Sequence, residues 1–72
     1  MLVLKNWMAQ QGLTNSALAR RMGVSYDLVY SIVEGRRAVS DSFRWRFSLA
    51  FGVDTTTAIF GERQPSELEP AQ

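Results

Sequence analysis

Seventy-two residues make one domain, and a chain this short lies near the lower limit for a self-sufficient core, so a partner subunit would help it. A hydrophobic content of 46%, including two Trp, four Phe and two Tyr, is too apolar for disorder; the absence of Cys and His removes disulfides, thiolate chemistry, the usual zinc sites and imidazole catalysis. The net charge of +1 hides an asymmetry: through Val53 seven basic residues face three acidic ones, and from Asp54 onward one faces four, as expected if one face of a basic body meets phosphate.

Five helical patterns follow in chain order. The first spans Leu2 to Gln11, with Leu4, Trp7 and Met8 at i, i+3 and i+4, and Gly12 closes it. Its opening, MLVLKNW, does not read as a secretory signal, and no apolar run approaches the ~20 residues of a membrane span. Lack of Cys fits a reducing cytoplasm, the expected location. Thr14 caps a second helix, Asn15 to Met22, with Leu18, Ala19 and Met22 inward, and Gly23 stops it. Ser25 caps the third, Tyr26 to Glu34, with Val29, Ile32 and Val33 on one side; Gly35 and then Arg36-Arg37 follow. Ser40 opens a fourth helix to Phe51, where Phe43, Phe47, Ala50 and Phe51 follow i, i+4, i+7 and i+8. After Gly52, Asp54 is the expected cap of a last turn or two, Thr55 to Phe60, whose three Thr are poor helix formers. Residues 1–61 thus form an all-α domain, and 62–72, with two Pro and almost no apolar residue, read as a mobile acidic tail.

A helix, a three-residue turn and a helix is a common arrangement, but the residues between Asn15 and Ile32 satisfy a more demanding geometry. Two helices that cross closely at a steep angle need a small residue where one passes over the other, and Ala19 is placed for it. The turn needs a positive φ, which Gly23 supplies. The second helix must press branched apolar residues back onto the first, and Val29 and Ile32 lie three apart on one face, with Leu18, Met22 and Val24 at the remaining inward positions.

With those residues in place, GLTNSALARRMGVSYDLVYSIVEGRRAVS, the later LAFGVD and the pair Ile59-Phe60 resemble the lambda-repressor-like (Cro/cI, or XRE) family over about Leu4 to Gly61. SIVEGRRAVS is similar to its host-inhibition antitoxin (HigA) branch, and GVSYDLVYSIV resembles LacI-type headpieces; the five-helix layout and the closing GVD favour the Cro/cI group. The chain departs from the family in having Asn15 where Gln is usual.

The resemblance implies a five-helix lambda-repressor-like fold whose second and third helices form the helix-turn-helix, with the Tyr26 helix in the major groove of double-stranded DNA. It places Tyr26, Asp27 and Ser31 at base edges, flanked by Leu28 and Tyr30. The chemistry of the residues agrees. Tyr26 can donate, accept or offer a ring edge to a thymine methyl, and Ser31 can donate or accept at short range. Asp27 can accept from a cytosine or adenine amino group, or simply favour the positive end of its helix. Phosphate contacts are expected from Asn15, Ser16 and Ser25 at helix openings, and from Arg36 and Arg37, which otherwise form a solvated loop. Arg20 and Arg21 read as surface or intramolecular residues, and Arg44 and Arg46 stay undecided.

Trp7, Phe43, Phe47, Phe51 and Phe60 read as core. Trp45 and Leu49 fall partly off that stripe, and with Ile59 they are the expected homodimer surface, the alternative for Trp45 being packing on the first helix. The leading function is therefore a sequence-specific transcriptional regulator, a homodimeric repressor of operator DNA. The alternatives are an antitoxin that binds its own operator and a toxin protein, and a protein-interaction module without DNA. An enzyme is disfavoured: no glycine-rich phosphate loop and no clustered carboxylate pair accompany the missing His and Cys, and no cofactor or metal is expected.

Overall fold

Three of the helices open on a hydroxyl. In a computed structural model, which describes residues 1–61, the elements are α1 (Leu2–Gln11), α2 (Asn15–Met22), α3 (Tyr26–Val33), α4 (Asp41–Phe51) and α5 (Val53–Phe60). Ahead of α2, α3 and α4 the side chains of Thr14, Ser25 and Ser40 each accept from a backbone N–H three residues on, at 3.1, 3.2 and 3.1 Å. Each satisfies one of the donors a helix start leaves unpaired. The expected tail, 62–72, lies outside the described residues.

The core gathers Leu4 and Met8 from α1, Leu18, Ala19 and Met22 from α2, Val29, Ile32 and Val33 from α3, Phe43 and Phe47 from α4, and Ile59 from α5. Its aromatic heart is Phe47, fully buried, with the rings of Trp7, Phe51 and Phe60 at 5.3, 4.8 and 5.2 Å between centroids. Two of these contacts are edge-on, the arrangement the ring quadrupoles favour. Such packing lets few side chains stabilise a small domain.

Three details differ from the periodicity. Ala50, placed inward above, is exposed; the stripe that enters the core is Phe43 and Phe47, with Phe51 at its edge. The last helix begins at Val53, one residue before Asp54, with Gly52 as its cap residue and no side-chain cap. Its threonines are tolerated because Thr56 is buried and bonded at both ends of its hydroxyl: Ser48 Oγ donates to Thr56 Oγ1 at 2.9 Å, and Thr56 Oγ1 donates to the Gly52 carbonyl at 2.9 Å. The third difference is Ile59. It is 8% exposed and belongs to the core, so it is not a surface residue as expected.

The α2–α3 pair is set by its turn. Gly23 has φ +70, and Val24 N–H donates to the Ala19 carbonyl at 3.0 Å while Gly23 N–H donates to that of Arg20 at 3.3 Å, closing α2 in the double-bonded C-terminal motif. Ala19 is buried on α2, which packs against α3, and Val29 and Ile32 are at most 1% exposed. The left-handed backbone that glycine allows at position 23 turns the chain into α3, and the small Ala19 is compatible with close packing of the two helices.

Candidate nucleic-acid interface

An eight-residue helix with three buried residues leaves most of its circumference free. On α3, Tyr26, Asp27 and Tyr30 are exposed, Ser31 is half-buried, and Leu28 is half-buried and packed on the core, so it offers only part of its side chain outward. The two tyrosines lie one turn apart with rings 6.1 Å between centroids and planes 15° from parallel. Asp27 stands in the first turn, where the unpaired N–H groups favour an acid.

The end of α3 holds the cations. Gly35 (φ +76) turns the chain so that the Arg36 and Arg37 N–H groups both donate to the Ser31 carbonyl, at 2.8 and 3.2 Å. The Arg36 guanidinium then lies 5.8 Å from the centre of the Tyr30 ring, within cation–π range. The backbone of this arginine pair is thus fixed to the exposed helix. At the start of α2, Ser16 is exposed and Asn15 half-buried; Ser25, also exposed, has its oxygen engaged in capping α3. The helix-turn-helix thus offers exposed polar side chains at the openings of α2 and α3, the exposed side of α3, and two exposed arginines just beyond its end.

A helix-turn-helix family model matches residues 4–57, well over half of the chain and all of this surface. The chain belongs to the lambda-repressor-like (XRE) helix-turn-helix family. Members of this family carry DNA-binding domains, so the chain is a DNA-binding helix-turn-helix domain of the XRE type, with α2 and α3 as the two named helices. The match is to the family as a whole and does not single out its HigA-type branch. No curated protein and no solved structure matches the chain. Among the described residues there is no group of three or more acidic, His or Cys side chains that could hold a metal, and no helix long and apolar enough to cross a membrane.

Several other cations among the described residues of the XRE domain make contacts inside the molecule. Arg44 donates from Nη1 to the Phe60 carbonyl at 3.3 Å and from Nη2 to that of Gly61 at 2.6 Å, with its guanidinium over the Phe60 ring. A cation at these last carbonyls complements the negative end of α5. Arg21 lies over Phe51, and Lys5 pairs with Glu34 at 3.3 Å. These contacts tie Arg44 and Arg21 to the α4–α5 part of the fold, whereas the Arg36 guanidinium contacts the exposed Tyr30 ring of α3.

Away from α3, α4 and α5 carry another exposed apolar surface. Trp45 and Leu49 are 65% and 70% exposed, so Trp45 does not pack on α1. Val53, which periodicity did not single out, joins them at 69%. Beside Trp45 the two helices leave a groove of about 390 Å³ bounded by Val53, Thr56 and Thr57.

Proposed function

We propose that this domain is a sequence-specific regulator of transcription, a homodimeric repressor that reads operator DNA with α3. The observation that carries the reading is the capped, outward-facing α3 with Tyr26, Asp27 and Tyr30 exposed and Arg36-Arg37 pinned at its end. In this reading α3 enters the major groove; Tyr26, Asp27, Tyr30 and Ser31 meet base edges, with Leu28 contributing its exposed part. Asn15, Ser16 and Ser25 at the helix openings and Arg36 and Arg37 at the other end meet phosphates, fixing register while the bases supply specificity.

The second copy docks through Trp45 and Leu49, joined by Val53. Three large apolar side chains exposed together are costly to leave in water. A tryptophan standing beside a groove is also self-complementary, as a two-fold interface requires. Two heads so related would read half-sites about 34 Å apart, one turn of duplex.

Selection of bound sites from a random duplex pool tests this reading as a whole. An inverted repeat with one-turn spacing is expected. Enrichment of a single unrepeated site overturns the homodimer, and enrichment of nothing overturns DNA reading. The antitoxin alternative is supported by the SIVEGRRAVS resemblance; a toxin protein that co-purifies in fixed proportion would favour it.

A further inference from the structure

The outer side of α3 has an unusual chemistry for a reading surface. Its sequence, YDLVYSIV, contains no Arg, Lys, Asn or Gln. These are the side chains that fork onto guanine or adenine, the commonest means of telling one base pair from another. Arg36 does not fill the gap, because its guanidinium is drawn over the Tyr30 ring at the far end of the helix. What α3 offers is one carboxylate, hydroxyls and a strip of aromatic surface, the Tyr26 and Tyr30 rings, near-parallel and both open to solvent.

An apolar strip needs an apolar partner. On the edges that base pairs show in the major groove, the one apolar group larger than a C–H is the pyrimidine C5-methyl, present on thymine and replaced by hydrogen on cytosine. Resting on the DNA-reading function above, we infer that the Tyr26–Tyr30 pair is a reader of C5-methyl pyrimidines and that each half-site is recognised chiefly through its methyl groups. The stacked geometry serves this role. Each ring restrains the other and the Arg36 guanidinium restrains Tyr30, so the strip is ordered before DNA arrives and loses little freedom on binding. Asp27, beside Tyr26, accepts from an amino group of a neighbouring cytosine or adenine and repels a misplaced phosphate.

The test uses the duplex enriched from the random pool, remade with uracil at one thymine at a time, which removes the methyl and leaves every hydrogen bond intact. Loss of one buried methyl is expected to weaken binding about three- to fourfold. A second arm places cytosine or 5-methylcytosine at the same positions. A matching gain on methylation assigns the readout to the methyl group from either source, and no gain assigns it to thymine alone. The double variant Tyr26→Ser/Tyr30→Ser, both positions being exposed, should fold as before and bind thymine and uracil duplexes equally. Equal binding of the two duplexes by the unaltered protein overturns the proposal while leaving DNA binding standing, as does a thymine preference that survives in the double variant. Absence of salt-dependent binding to any duplex overturns the underlying reading as well.

Discussion

The Arg46 side chain reaches from α4 to the turn between α2 and α3, donating from Nη1 to the Gly23 carbonyl at 3.4 Å. The contact brings α4 against the one position of the turn where the backbone adopts a left-handed conformation. A Cβ added at Gly23 would lie 3.3 Å from that same Nη1, a flexible tip that can give way. The cost of Gly23→Ala is then mainly the left-handed backbone, about 1–2 kcal/mol. Gly12→Ala is the matched control, with φ +67 and nothing within 4 Å. Urea denaturation should show both variants destabilised to a similar degree, with duplex binding weakened further only in Gly23→Ala. A Gly23→Ala protein of undiminished stability would refute this account of the turn.

Arg36 and Arg37 separate in a salt titration from the arginines that serve the fold. Replacing either by Ala should reduce the slope of log affinity against log salt by about 0.9 for each phosphate contact removed. Folding stability should move by no more than about 0.5 kcal/mol, because both side chains are exposed. An unchanged slope in the double variant would place both residues off the DNA.

Phe47→Ala removes the ring on which Trp7, Phe51 and Phe60 converge. Truncation of a buried Phe costs about 3–5 kcal/mol, much of the stability a domain this small possesses. Circular dichroism during thermal unfolding should show a largely unfolded population at 37 °C. Retention of a cooperative transition near the original temperature would mean that the core closes over the gap.

Leu49→Glu places a charge in the exposed apolar surface of α4 without touching the core. Sedimentation equilibrium should show a dimer for the unaltered chain and a monomer for the variant, with helix content preserved. Trp45→Ala should weaken association in the same direction. A monomeric unaltered chain at high micromolar concentration would remove the dimer from the mechanism.

How much of this was legible in the residues depended on whether one local force decided the outcome. Thr14, Ser25 and Ser40 each stand directly before a helix, where a short hydroxyl reaches the third N–H, and each caps it. Ala19, Gly23, Val29 and Ile32 could be placed because close helix crossing restricts each to a few residue types. The α4–α5 junction was misread because its forces compete. Asp54 is a good cap by type, but the buried Ser48–Thr56–Gly52 chain starts the helix earlier. Ile59 lies in an eight-residue helix whose inward stripe contains polar Thr56, so the apolar pattern there was incomplete. Arg44 was undecidable because its partners are backbone carbonyls sixteen and seventeen residues away. The contacts proposed with DNA were legible only as chemistry and exposure.

Among the described elements, α3 packs against α1 and α2 and makes no close approach to α4 or α5. Its inward anchors are Val29, Ile32 and Val33, with Leu28 packed at the edge of the core, and Tyr26, Asp27 and Tyr30 are exposed and free of that duty. Exchanging Tyr26, Asp27 and Tyr30 for another set should therefore redirect the domain to a different DNA address with its fold and its pairing intact. Evolution can retarget such a scaffold by a handful of codons, and an engineer can do the same.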